Sequence, residues 1–374
     1  MMQLDDYTAQ FTDEPGYLDF ARVGPVGRSV KEEEYALTGL LGRARFGSYD
    51  LLDAQDARVR EAVSALTGFD ASQVVFQPNT SQGMMHAMFG ITGGVALSPA
   101  EFPSNTFAAV RAAESLGVLV PQWLDTEGGP VTPGNIRDQL DASTVAVVVS
   151  LVDFRTGYLA DIEGIRQVIG DRLLVVDAIQ GFGVVEAPWD VADVIVSGGQ
   201  KWSRAGWGTG FMALSERAID QLTPVFSGFS ATDAEEMPMD EVVAPSRGAN
   251  AFSVSYPDRV AEGRYAAALE DIASVGVGAI RSRIIDATNR IIDIADEFGI
   301  AVVSSRAENE RAGIVVIEPP ADQLAILGAS LYNHGVTTTT RGGRLRLSAH
   351  VSTTEETLEM LRGSFMSYAT AITN

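Results

Sequence analysis

The chain has 374 residues, 46% hydrophobic and 20% charged, a balance that excludes disordered and collagen-like chains and leaves room for two globular domains. Its 49 acidic against 27 basic residues give a net charge of −22, a field that repels nucleic acid and anionic membranes, so neither is an expected partner. Cysteine is absent and the three histidines, His86, His334 and His350, show no ligand-like spacing, so disulfides, thiolate chemistry and a metal site are not expected.

Taken in chain order, residues 1–14 are polar and acidic, unlike a secretory signal, and no apolar run approaches the ~18 residues of a membrane span. A cytoplasmic protein is expected. Apolar runs at 74–76, 94–97, 118–123, 144–151, 173–177, 193–197 and 210–214 predict strands. Helical stretches are predicted between them at 81–90, 133–140 and 161–169, the last with Asp161 as N-cap. This alternation is that of a mainly parallel sheet covered by helices. Residues 227–249 follow neither period and read as a long surface loop. Helices follow at 259–275 and 279–297, the second with Ile280, Ile284, Ile291 and Ile294 on one face. The segments 300–305, 313–318, 321–334, 335–338, 345–348 and 353–369 read ββαββα, a small α+β domain beginning near residues 274–279.

The chemistry concentrates in VVDAIQGFG (175–183), DVIVSGGQKW (193–202) and GWGTGFMAL (206–214). Asp177 ends a buried strand, Gln180 follows three residues on, and Lys201 comes just after a neighbouring strand, so all three belong at the ligand-binding rim of an α/β sheet. These are the groups that pyridoxal phosphate requires: a carboxylate to keep the pyridine nitrogen protonated, a donor to the 3′ oxygen, and a desolvated amine to form the Schiff base and move the proton. Lys31 and Lys201 are the only lysines, so a lysine behind a Gly-Gly pair at a strand end is a chemical choice rather than a solvated surface amine. Neither lysine follows a glycine, which excludes a P-loop, and GWGTG precedes a strand instead of opening a helix, unlike a dinucleotide loop. Upstream, Asn79, Thr80 and Ser81 lie between a strand and a helix, where free amides and hydroxyls suit a phosphate or serve as an ordinary N-cap.

With these residues in order, the sequence resembles the class V aminotransferase family, the fold type I enzymes that use pyridoxal phosphate. The resemblance runs through YLDFARVGP (17–25), NTSQG (79–83), EFPSN (101–105), SLVDFRTG (150–157), DAIQ (177–180), QKW (200–202) and RLRLSAH (344–350). It implies an α/β large domain (23–274) around a mainly parallel seven-stranded sheet, a small C-terminal α+β domain (275–374), and an N-terminal arm (1–22) packing with the small domain. It further implies Asn79, Thr80, Ser81, Thr156, Gln180 and Gln200 around the cofactor, Phe102 stacked on its ring, and Lys201 and Asp177 as catalytic groups. Arg346 is implied at the substrate carboxylate, with His350 beside it and Arg344 as a competitor. Ser255 and Tyr256 align with the family's cross-subunit phosphate contact, which implies a homodimer with composite sites.

Many family members, desulfurases included, carry His where Phe102 stands and a catalytic cysteine on a loop; here neither exists, which excludes a cysteine-persulfide desulfurase. EFPSN and FRTG also resemble kynureninases, but Gln180 and Gln200 stand where that group tends to have His and Tyr. An aminotransferase acting on an amino acid is the first expectation. The alternatives are a kynureninase-like C–C or C–S lyase, an epimerase, and, least favoured, a non-catalytic binding protein.

Overall fold

The computed structural model describes residues 2–234 and 239–373. Short apolar runs form the strands of the main sheet, and the central ones are Val-rich and buried on both faces. In chain order these are β1 (Val74–Phe76), β2 (Gly93–Leu97), β3 (Leu119–Trp123), β4 (Thr144–Ser150), β5 (Leu173–Asp177), β6 (Val194–Gly198) and β7 (Gly210–Leu214). They assemble in the order β1-β7-β6-β5-β4-β2-β3, with β7 antiparallel to both neighbours and the remaining pairs parallel. The expected seven-stranded α/β sheet is therefore present.

The helices are α1 (Leu4–Thr8), α2 (Arg28–Arg43), α3 (Ser48–Thr67), α4 (Thr80–Gly90), α5 (Pro103–Leu116), α6 (Pro133–Arg137), α7 (Ile162–Ile169), α8 (Glu216–Gln221), α9 (Arg259–Val275), α10 (Val277–Glu297), α11 (Leu324–Asn333) and α12 (Glu355–Thr373). Asp161 caps α7 by accepting from the Gly164 amide at 2.8 Å, as its position predicts. Helices α2, α3, α5 and α8 escape a reading based on apolar runs. In α2 only Val30 and Leu37 are buried, and α3 meets the core through the sparse stripe of Leu52, Val59, Ala62 and Val63. The described part of 227–249 is irregular apart from the start of a short 3-10 turn at Ala249–Phe252, and residues 235–238 of that predicted loop lie outside the described residues.

Near the C-terminus, β8 (Ile314–Ile317), β10 (Arg344–Ser348) and β9 (Thr339–Arg341) form an antiparallel sheet in that order, which shares one core with α10, α11 and α12. Two predicted strands are corrected here. Residues 300–305 keep only an isolated bridge, Val302 to Ile317, because the Ser304 hydroxyl takes the Val316 amide at 2.9 Å in place of a backbone carbonyl. Residues 335–338 pair with the N-terminal arm instead of the sheet: the Leu18 amide donates to Thr337 O, and the Thr337 amide to Gly16 O. The strand then begins at Thr339, and Gly342 and Gly343, with φ of 57° and 80°, close the tight β9–β10 turn that L side chains rarely adopt.

The arm is threaded between both parts of the fold. Leu18 is buried in the C-terminal core, while the Met2 amide donates to Ser274 O at 3.2 Å. Arg204, buried three residues past Lys201, forms an ion pair with Asp13 of the arm and stacks its guanidinium 3.5 Å over the Phe11 ring. Arg204 also holds a left-handed φ of 57°, strain that the arm's contacts sustain directly after the lysine.

Candidate active site

Parallel strands deliver their carboxyl ends to one rim, and the candidate residues come from that rim. Asp177 is the last residue of β5, Lys201 follows β6 by three residues, Asn79 and Thr80 follow β1, and Phe102 caps α5 beyond β2. Lys201 is 7% exposed, with Nζ 5.3 Å from the centroid of the Phe102 ring. Burial brings its amine down to about 8; Asp177 opposes that shift, and the charges of Arg346 and Arg341 add to it. Asp177 is buried, and burial pushes its carboxyl up to about 6 against the Ile179 amide, the Lys201 charge and Asn105, which lower it. Its Oδ1 accepts from the Ile179 amide at 3.1 Å, whereas its buried Oδ2 has no partner among the described residues.

Two further observations bear on which group fits beside this pair. Thr80 Oγ1 is buried and unpartnered among the described residues. Gly198 leaves open a cradle that a Cβ would fill, 2.5 Å from Gln200 Oε1 and 3.2 Å from Thr80 Oγ1. Asn79 caps α4 by accepting from the Gln82 amide at 2.9 Å, and the exposed Ser81 hydroxyl meets that of Ser104 at 2.7 Å. An unpaired buried carboxylate oxygen, a neutralisable amine, an aromatic wall and hydroxyls at a helix start match the donors that a protonated pyridine, an aldehyde and a phosphate require. The residues fit pyridoxal phosphate.

Arg346, on β10, is 7% exposed. Its Nη1 donates to Phe154 O at 3.4 Å, its Nη2 lies 3.5 Å from Asp19 Oδ1, and its Nε has no partner among the described residues. Arg344, the expected competitor, pairs instead with Glu318 at 3.2 Å.

Three expectations change. His350 does not stand in the substrate pocket: it lies beyond the end of β10, fully buried, stacked on Trp202 with centroids 6.2 Å apart. Its Nε2 donates to Trp202 O at 3.1 Å, and burial holds its pKa well below the ordinary value, so it is a neutral packing group. Thr156 is drawn into its own turn, its hydroxyl accepting from the Tyr158 amide at 3.2 Å and its carbonyl from the Ser304 hydroxyl at 2.5 Å. Neither partner belongs to the Lys201 group. Gln180 is largely engaged within the protein: Oε1 accepts from Trp202 Nε1 at 2.8 Å and Nε2 donates to Ala21 O at 2.9 Å. Indole can only donate and a carbonyl only accept, so this amide orientation is fixed, and a single N–H remains for the 3′ oxygen.

His86 is core, between Phe226 and Phe252, and burial brings its pKa down to about 4. His334 caps α11. Ser255 and Tyr256 are exposed, the Tyr256 ring edge-on to Phe229 at 5.2 Å.

The structure also places two residues that the sequence does not single out. Glu101 accepts from the Ser150 amide at 3.0 Å, from the Ser150 hydroxyl, and from Asn105 Nδ2 at 3.2 Å. Burial raises it to about 7, with a smaller upward push from Asp177. It braces Asn105 next to Asp177. The only signal was its place directly before Phe102. Arg341 ends β9 with its guanidinium carbon 5.2 Å from the centroid of the Phe154 ring, which in turn packs edge-on to Phe102 at 5.1 Å.

Comparison with known proteins identifies the family and the fold. The family model described as aminotransferase class-V matches residues 42–372. A probable cysteine desulfurase of Methanothermobacter thermautotrophicus is 30% identical over 229 residues, 57% of this chain and 56% of that protein. A kynureninase of Deinococcus radiodurans is 28% identical over 281 residues, 71% of this chain and 66% of that protein. The chain thus spans between about half and two thirds of the length of these relatives. The apo structure of a cysteine desulfurase from Thermococcus onnurineus NA1 superposes with a TM-score of 0.85 at 20% identity, covering 97% of both chains. The cystine C–S lyase C-DES superposes at 0.84 with 18% identity, covering 94% of this chain and 97% of that one. Both likenesses establish the fold.

Proposed function

Since the chain belongs to the class V aminotransferase family, we propose that it is a pyridoxal-phosphate enzyme whose reaction is transamination of an α-amino acid. When bound, the cofactor supplies an electron sink for the electrons released as the α-proton leaves. Lys201 would anchor it covalently, and its amine would serve as the base for the α-proton. Asp177 would keep the ring nitrogen protonated, Thr80 and Gln200 would lie at the phosphate, Phe102 would wall the ring, and Arg346 would grip the α-carboxylate.

The observation that carries transamination over elimination is the shortage of a second acid. His86 and His350 are buried in packing, His334 caps a helix, and the chain has no cysteine. Glu101, raised to about 7, is engaged by Ser150 and Asn105, which leaves Lys201 as the group placed to take a proton and return it to a neighbouring carbon, all that transamination asks. The names of the two relatives favour the second reading, a C–C or C–S lyase. A half-reaction screen over an amino-acid panel separates the two. Transamination converts the loaded protein stoichiometrically to the pyridoxamine form with one keto acid released, and borohydride reduction before substrate leaves a pyridoxyl label on the Lys201 peptide. Catalytic release of alanine or pyruvate with no pyridoxamine form decides for the lyase, and a label on Lys31 overturns the assignment of the lysine.

We read the working unit as a homodimer. Ser255 and Tyr256 face solvent where the family contributes a cross-subunit phosphate contact, and Val254 beside them shares an open cleft with Asn79 and Ser81. Large aromatics stand exposed elsewhere, Tyr35 at 85% and Phe46 at 105%. Burial of such side chains against a second copy would suit this reading, which expects an obligate interface of ~2,000 Å² or more. Sedimentation of the loaded protein should show a dimer; a monomer with full cofactor content contradicts this reading.

No helix among the described residues is long and apolar enough to cross a membrane. The proposed location is the cytoplasm, consistent with the absence of cysteine.

A further inference from the structure

Beside Arg346 lies a cavity of about 210 Å³ whose lining includes Phe154, Arg155, Arg341, Arg344 and Arg346. Four arginines line one small cavity, and three of them already meet a carboxylate. Arg155 is held by Asp153 through two hydrogen bonds of 3.1 and 2.7 Å. Arg344 pairs with Glu318 at 3.2 Å, and Arg346 faces Asp19 at 3.5 Å. Arg341 has no carboxylate partner among the described residues, and it stands directly opposite Arg344 in the β9–β10 register. Like charges facing each other across antiparallel strands are destabilising, and here the Gly342-Gly343 turn fixes that register.

Arg341 is solvent-exposed on one side and lines the cavity on the other. It lies over the Phe154 ring, its charge is felt at Lys201, and the rings of Phe154 and Phe102 form one continuous wall from it to the lysine. A ligand whose α-carboxylate sits on Arg346 therefore extends its side chain along this wall toward an unneutralised guanidinium.

Resting on the proposed reading of the site, we infer that the substrate is an α-amino acid with a second anionic group, a carboxylate or sulfinate, at the end of a short side chain, and that Arg341 binds it. A planar guanidinium takes either oxyanion through two hydrogen bonds and rejects the neutral amide, which leaves the cation unpaired.

The test titrates the loaded protein calorimetrically with succinate and with succinamate, its monoamide, which keeps one carboxylate and the same length. Succinate should bind about tenfold or more tightly, and Arg341→Gln should reduce that ratio to about twofold or less while the borohydride label on Lys201 persists. Equal affinities in the unaltered protein, or a preference that survives Arg341→Gln, overturn the inference and leave the cofactor reading intact. Loss of the Lys201 label from the unaltered protein overturns the cofactor reading itself. Half-reactions with aspartate, glutamate and cysteine sulfinate, set against asparagine and glutamine, identify the oxyanion. Faster conversion of both amides than of every acid overturns the inference as well.

Discussion

Lys201→Ala should lower turnover of the best amino-acid substrate by at least about 10³-fold, because one side chain performs two tasks, covalent anchoring and proton transfer. The environment is built for the second task. Lys201 Nζ lies against the Phe102 ring at 5.3 Å, and burial brings its pKa to about 8, so a useful fraction is neutral near neutrality. Ordinary lysine near 10.4 would be almost wholly charged there. The direction of the pH dependence follows. Only the neutral amine condenses with an aldehyde, so uptake of pyridoxal phosphate by the cofactor-free protein should accelerate as pH rises and level off above about 8. A rate that falls across that range contradicts the role. Added methylamine should restore part of the proton transfer to Lys201→Ala, whereas Lys201→Arg should stay inactive, because a guanidinium does not deprotonate. Rescue by methylamine also separates a missing base from a collapsed site. Turnover of Lys201→Ala within tenfold of the unaltered protein would falsify the assignment.

The lysine and its carboxylate were legible in the sequence for a physical reason. A buried parallel strand is a continuous apolar run, so a polar residue closing it, such as Asp177, is conspicuous, and in a chain with two lysines so is Lys201. Position beyond a strand's end is far less legible. The resemblance implies His350 beside Arg346, but β10 ends at Ser348, as the apolar run predicts, and the chain then turns, burying the imidazole against Trp202. Arg341 was hidden by an error of strand bounds. Residues 335–338 read as the strand, yet they are claimed by the arm, and the strand shifts to Thr339–Arg341, which carries the arginine into the cavity. This error comes from pairing between distant segments, which no local period records. The same holds for α2 and α3, whose thin apolar stripes become meaningful only against α9.

Arg346→Ala should lower kcat/KM about 10²- to 10³-fold for every amino acid tested, acidic or neutral, since truncating one side of a buried, hydrogen-bonded charge pair costs ~2–5 kcal/mol. The guanidinium is held in readiness rather than spent. Its approach to Asp19 is 3.5 Å, longer than the ~2.7–2.9 Å of a strong charge-assisted bond, and Asp19 is shared with the Thr339 hydroxyl at 2.8 and 2.9 Å. A substrate carboxylate can therefore take the fork without displacing a tight internal partner. Removing the arginine also strands Asp19, which is 1% exposed and whose pKa burial already raises against the opposing pull of Thr339 and Arg346. Part of the loss could then be structural, and the double variant Arg346→Ala with Asp19→Asn isolates it: the neutral amide needs no cation, so thermal stability should recover while kcat/KM stays low. Arg346→Lys should recover little, because an ammonium is a point charge that cannot grip two oxygens at once. The pattern across substrates separates the two cavity arginines, Arg346 acting on all amino acids and Arg341 only on those with a second anion. If Arg346→Ala instead leaves kcat/KM within about threefold for neutral amino acids, the α-carboxylate lies elsewhere, and Arg341 is then the first residue to substitute.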